Sequence, residues 1–120
     1  MKSNLLLEKS FQFSLRIVKL CRYLNDGQKE FVLSRQILQS GTAIGSQIEE
    51  ATQGDSTPDF LHHLTIANKK AFDTNYWLRL LRDSGYVSDK QAASMLADCE
   101  ELQKLLISSI KTTKSKIIDK

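Results

Sequence analysis

His62 and His63 are the two histidines of the chain, and they are adjacent. Neighbouring side chains on a helix point about 100° apart, so the pair cannot both reach one metal ion without distortion. Asp59 lies three residues before His62 and four before His63, close enough to pair with either, but no second ligand cluster joins them. Surface or interface histidines are the simpler reading. Glu49-Glu50 and Glu100-Glu101 are tandem carboxylates. A di-iron bundle would supply inward-pointing Glu-x-x-His pairs, and this sequence has none. Glu49 borders an apolar seam, where partial burial and an ion pair with Arg35, Arg79 or another subunit are expected. Cys21 and Cys99 fall on apolar helical positions, and with no export signal they read as reduced core thiols rather than a disulfide or metal pair. Nucleophilic catalysis needs a base beside a serine or cysteine, and nothing local supplies one. The pattern therefore predicts no enzyme, no metal site and no cofactor.

Cations and rings offer more. Arg16, Lys19 and Arg22 advance three residues at a time and span about 120° of helical arc, with Lys9 nearly in line with Arg16. The result is a basic ridge beside an apolar face, read either as a solvated surface or as a phosphate contact. On a symmetric ring such a ridge repeats with every subunit, and several modest patches can hold a polyanion that one could not. The densest polar-aromatic run is Asn75-Tyr76-Trp77-Leu78-Arg79-Leu80-Leu81-Arg82. Trp77, Leu80 and Leu81 should pack, Phe72 and Tyr76 can stack, and Arg79 and Arg82 share a face with Asp83 beside it. Packing with solvated arginines competes here with an oligomer contact or a phosphate-facing patch. Gly41 and Gly45 sit four apart inside a helical stretch, where each costs about 1 kcal/mol relative to alanine. Close approach of a neighbouring helix would offset that cost; a kink at Ser40-Gly41 and a ligand loop are the other readings. The Gly-Thr-Ala-Ile-Gly stretch lacks the lysine and strand context of a phosphate loop.

These residues need a scaffold, and 120 residues allow one domain with a real core. One proline and five glycines leave long uninterrupted stretches that favour helices. Four amphipathic segments result. The first, about 5–24, carries Phe13, Ile17, Leu20 and Leu24 on one stripe and stops at Asn25-Asp26-Gly27. The second, about 29–52, uses Leu33, Ile37, Ile44, Ile48 and Ala51. Thr57-Pro58-Asp59 opens the third, about 58–84, with a cap hydroxyl, a proline at the first helical position and a first-turn acid. Gly85 ends it. Ser88 and Gln91 form a capping box for the fourth, about 89–113, and the tail 114–120 should fray. Short connections make successive helices antiparallel, so the expected fold is all-α: an up-down-up-down four-helix bundle.

Phe11, Val18, Phe31, Leu38, Ile66, Trp77, Leu105 and Ile107 lie off the inner seams. A lone bundle would leave part of this surface wet, so self-association is expected. Charge is segregated as well. Residues 1–25 and 104–120 are each net +4, and residues 26–60 are net −4, in a chain of formal net charge +3. Such separation can steer an anionic partner or pair subunits. The short apolar run Leu5–Leu7 is closed by Glu8 and Lys9 too soon for a signal or membrane span, which points to a cytoplasmic protein without a membrane partner.

The chain resembles a bacterial four-helix bundle family, the proteins encoded by intervening sequences within large-subunit ribosomal RNA genes. The resemblance covers nearly the whole chain and is carried by Ser10-Phe11-Gln12-Phe13, Arg16-Ile17-Val18-Lys19, Phe31-Val32-Leu33-Ser34, Ser40-Gly41-Thr42-Ala43-Ile44-Gly45 and Ile48-Glu49-Glu50-Ala51. Asp59-Phe60, Leu64, Ala71, Thr74, Tyr76-Trp77-Leu78-Arg79-Leu80-Leu81 and Ser84-Gly85-Tyr86 continue it. The resemblance implies a homopentameric ring with no enzyme activity. It is similar to the accessory subunit of diversity-generating retroelements, a pentamer that binds nucleic acid and a reverse transcriptase. Gln39 stands where the family often has arginine, Gln47 where asparagine is usual and Lys70 where glutamate is frequent. The expected partners are thus further copies of the chain, RNA or DNA, and a partner protein. Arg16, Lys19, Arg22, Arg79 and Arg82 are the nucleic-acid candidates, and Gly41, Gly45, Tyr76 and Trp77 the packing or oligomer candidates. A protein-interaction scaffold that binds no nucleic acid is the alternative.

Overall fold

The computed structural model describes the backbone of residues 2–118 and the side chains of residues 4–118. Four helices follow one another: α1 Lys2–Arg22, α2 Leu33–Thr52, α3 Thr57–Asp83 and α4 Asp89–Ile118, with a π-helical turn, Tyr23–Gly27, continuing α1. Each helix packs beside its chain neighbours and α4 closes back on α1, giving an antiparallel square bundle of 52 × 21 × 21 Å. The core is built from the expected stripes: Phe13, Ile17 and Leu24 meet Ile37, Ile44, Ile48, Leu64, Leu78, Leu81, Leu102 and Leu106, all essentially buried. Burial of each such side chain contributes about 1.5–3 kcal/mol relative to leaving it in water.

Local chemistry sets the ends. Ser88 and Gln91 cap α4 reciprocally: Gln91 N donates to Ser88 Oγ at 3.1 Å and Ser88 N to Gln91 Oε1 at 3.0 Å. Gly85, with φ +87°, follows α3 in the left-handed region. The cap of α3 is Ser56, whose Oγ accepts from Asp59 N at 3.2 Å, so the helix opens one residue ahead of the expected start. Helix α2 starts at Leu33 rather than near Lys29, because Lys29 adopts φ +53° and breaks the helical path. The buried Glu30 carboxylate then accepts from the backbone N–H of Val32, Leu33 and Ser34 at 3.2, 3.0 and 2.8 Å, satisfying the orphan donors of the first turn. At the other end of the molecule α4 continues past Thr113 to Ile118, where fraying was expected. Thr113 is buried and borders one cavity with Thr52 at the end of α2 and Gly54 of the α2–α3 connection; residues 119–120 of the expected tail lie outside the described residues.

Gly41 and Gly45 mark the seam between α1 and α2. A Cβ on Gly41 would lie 2.7 Å from Ile17 Cγ1, and one on Gly45 would meet Ser14 Oγ at 3.3 Å and the Ser10 carbonyl oxygen at 3.4 Å. Helix α2 passes through both glycines without interruption. The glycines let the two backbones of one chain approach closely, which accounts for them without a kink or a ligand loop.

Candidate interaction surfaces

The basic ridge on α1 lies against α4, and the two helices share their charges. Arg16 Nη1 donates to Asp98 Oδ2 at 2.5 Å, and its Nη2 donates to Ser94 Oγ at 2.9 Å. Lys9 Nζ donates to Glu101 Oε1 at 3.2 Å. Two of the four ridge cations are thereby committed to holding the bundle together. Lys19 and Arg22 are exposed and make no ion pair among the described residues. Both lie in the last turn of α1, where they also complement the helix dipole. Arg16 and Lys19 border an open groove of about 320 Å³ whose remaining walls are Leu20, Tyr23, Gln91 and Met95. The Tyr23 hydroxyl accepts from Gln28 Nε2 at 2.7 Å, which fixes the ring at the groove's mouth. Sequence periodicity missed Tyr23 because it belongs to the π turn, where the 3.6-residue register no longer applies.

The second cluster divides differently from its sequence reading. Tyr76 meets Trp77 edge to face, with centroids 5.2 Å apart, rather than stacking on Phe72. Arg79 lies 5.7 Å over the Tyr76 ring while its Nε donates to Asn75 Oδ1 at 2.9 Å. Arg82 turns instead to its neighbour, donating through Nε to Asp83 Oδ1 at 2.7 Å. That hydrogen bond is the main reason the Asp83 carboxyl titrates below its usual range. Arg79 and Arg82 therefore do not form a paired phosphate clamp. Trp77 packs against the core from a half-buried position and, with Tyr76, borders a groove that also contains Gln39, Lys70 and Asp73. Gln39 of α2 and Lys70 of α3 thus line one surface feature.

Large apolar side chains remain in water on two opposite sides of the square. Phe11 (55% exposed), Leu15 and Leu38 lie on the outer face of α1 and α2, with Phe31 (53%) just ahead of α2. Phe72 (54%) and Ile107 lie on α3 and α4, while Tyr76 (51%) is exposed at the α2–α3 groove. Val18, Ile66, Trp77 and Leu105, also expected off the seams, are half-buried. Glu49 is exposed and makes no ion pair among the described residues, so the expected partners Arg35 and Arg79 do not engage it within the chain.

The groups that could do chemistry are dispersed or masked. His63 Nδ1 lies 2.9 Å from Gln47 Oε1, and its Nε2 lies 3.7 Å from Asp59 Oδ1, so α2 and the first turn of α3 hold the ring. Among the described residues no three His, Cys, Asp or Glu side chains converge as a metal site. Burial pushes the Cys21 thiol up to about 11. Burial, with the Glu100 and Asp98 carboxylates adding to it, pushes Cys99 up to about 12. Thiols held protonated in this way are poor nucleophiles. Among the described residues no helix is long and apolar enough to cross a membrane.

Residues 2–108 match the family model for the 23S rRNA-intervening sequence protein. The chain is also similar to the crystal structure of a protein of unknown function from the S23 ribosomal protein family of Bacteroides thetaiotaomicron. The two are 50% identical over 92% of this chain and 99% of the other, with a TM-score of 0.91. No curated protein matches the chain. With nearly its whole length matched and its four-helix architecture shared, the chain belongs to the 23S rRNA-intervening sequence protein family.

Proposed function

We propose that this protein is a non-catalytic, self-associating helical bundle that works in the cytoplasm as an assembled surface for partners. The observation that carries the reading is the exposure of phenylalanine on two opposite faces, α1–α2 and α3–α4. Large apolar side chains left exposed on a small domain mark a candidate interaction site. The family resemblance supplies the copy number to test, five. Native mass spectrometry of the purified chain is the direct experiment. A complex of several 13.6 kDa subunits supports the reading, and a monomer across the micromolar range contradicts it.

A second reading adds RNA or DNA as the partner. It is favoured by Lys19, which borders one groove with Tyr23, and by Arg22 in the same last turn of α1, both exposed and free of carboxylates among the described residues. Arg79 contributes a further exposed cation, whereas Arg16 and Arg82 are engaged within the chain. Phosphate contacts make affinity fall steeply with salt. Binding of a labelled RNA or DNA oligonucleotide should weaken between low and moderate salt and collapse in Lys19→Glu/Arg22→Glu. Absence of binding, or affinity indifferent to both changes, would leave a protein-interaction scaffold as the function.

A further inference from the structure

We infer that the groove between the end of α1 and the start of α4 receives a carboxylate side chain, with an aliphatic neighbour, from a partner protein. The inference rests on the reading of the bundle as a surface for partners and names the chemistry of one such partner.

The polar groups that line this groove offer a ligand chiefly hydrogen-bond donors. The Lys19 ammonium is exposed and makes no ion pair among the described residues. The Tyr23 hydroxyl accepts from Gln28 Nε2 at 2.7 Å, which leaves its own proton to give. Gln91 Oε1 accepts from Ser88 N at 3.0 Å and from Ser88 Oγ at 3.3 Å, so its amide N–H groups are what it can offer. The same bonds hold Tyr23 and Gln91 in place before anything binds, which lowers the ordering cost of a contact. Leu20 and Met95 supply apolar walls. An acceptor-only group beside a small hydrophobe complements that lining, and an ionised carboxylate next to an aliphatic side chain is such a pair.

The charge pattern of the α1–α4 seam favours a protein segment over a nucleic acid. Arg16 is already bound to Asp98 at 2.5 Å, so Lys19 at the groove and Arg22 in the same turn are the unpaired cations here. Beyond the Arg16–Asp98 pair the seam continues into a second groove, where Glu8, Asp98 and Glu101 outnumber Lys9. A row of phosphates running along α1 would pass from two cations to three carboxylates, whereas polyanion binding relies on cations in series. A polypeptide can place one acid over Lys19 and neutral or basic residues further along. The groove, about 320 Å³ and open, is also at the small end for a free ligand, which must be largely enclosed. A segment anchored through the rest of its own protein needs no such enclosure.

Met95 is one of two methionines in the chain, so the nuclear magnetic resonance signal of its labelled methyl group reads the groove directly and is assigned through Met95→Leu. An acetylated, amidated peptide with a central Leu-Glu-Leu should shift this signal saturably in the full-length protein. Its Leu-Gln-Leu counterpart should bind at least about threefold more weakly. Lys19→Gln alters an exposed site without a partner, so helix content by circular dichroism should match the wild type. This variant should weaken the Leu-Glu-Leu peptide by a similar factor and abolish the preference between the two peptides. Tyr23→Phe, which keeps the ring and removes its proton, should weaken the same peptide as well. No shift with that peptide at millimolar concentration, equal affinity of the wild type for both peptides, or an intact preference in Lys19→Gln overturns the assignment. A saturable Met95 shift with oligouridylate but not with the peptide gives the groove to nucleic acid and overturns it too. Subunit number is read separately by native mass spectrometry, so loss of the groove assignment leaves self-association standing.

Discussion

Helix α1 makes two lateral contacts of opposite construction. Against α2 it meets small residues: Gly41 receives Ile17, and Gly45 lies over Ser10 and Ser14, so the two helices approach closely there. Against α4 the space between helices is bridged by long side chains, Arg16 to Asp98 and Lys9 to Glu101, with an open groove beside them. The first seam depends on shape, and one added methyl group is felt there. The second depends on charged groups roughly half exposed, Arg16 at 38% and Asp98 at 46%, where water weakens the attraction. One helix therefore has a seam that fixes its position and another that tolerates change, and the groove beside the tolerant seam is bordered by Lys19, which makes no ion pair among the described residues.

The largest effect should come from filling the close seam. Gly41→Ala gains helix propensity but forces a Cβ against three atoms of Ile17. Overpacking of this kind costs about 1–3 kcal/mol net, read as a lower urea midpoint, and Ile17→Val in the same background should recover part of it. Gly45→Ala sharpens the comparison, because its nearest contacts are 3.3–3.5 Å away. It should be near neutral, with propensity offsetting a small displacement of Ser14.

Alkaline pH should act next, on the same seam. Cys21 is buried there and its thiol is raised to about 11. Its contribution is fully present below the unfolded thiol value, about 8.5, and is lost as pH climbs through the folded value. The urea midpoint should therefore decline from about pH 8.5 upward, less steeply in Cys21→Ala, and a decline of equal slope in that variant would contradict the assignment.

The smallest effect belongs to the ionic seam. Arg16→Met should cost no more than about 1 kcal/mol, and the difference from wild type should vanish in about 1 M salt. A loss above 2 kcal/mol in denaturant titration would mean that the α1–α4 contact carries far more than its exposure allows.

Much of the fold was legible because apolar spacing and cap chemistry are local signals. The stripes through Phe13, Ile17, Ile44, Leu78 and Leu106, and the box at Ser88 and Gln91, could be read directly. The start of α2 could not, because it depends on Lys29 leaving the helical region and on Glu30 folding back over three N–H groups. A glutamate ahead of a helix gives no sign that it will bury itself. The end of α4 was misjudged because the burial of Thr113 arises from the folded bundle and leaves no local mark in the sequence. The candidate surfaces were less legible still. The ridge Arg16-Lys19-Arg22 follows from spacing, but which members remain unpaired depends on acids more than 80 residues away in sequence. Arg79 and Arg82 share a stripe, yet Asn75 and Asp83 draw them apart.

The central claim is that Phe11 and Phe72 mark surfaces shared between copies of this chain. Sedimentation velocity over a micromolar dilution series tests it most directly, on the wild type and on Phe11→Ser/Phe72→Ser, which alters exposed sites only. The account predicts a wild-type mass that is a multiple of 13.6 kDa and a variant shifted to 13.6 kDa with its helices intact. Equal association of the two proteins, or a 13.6 kDa wild type at every concentration, would contradict it.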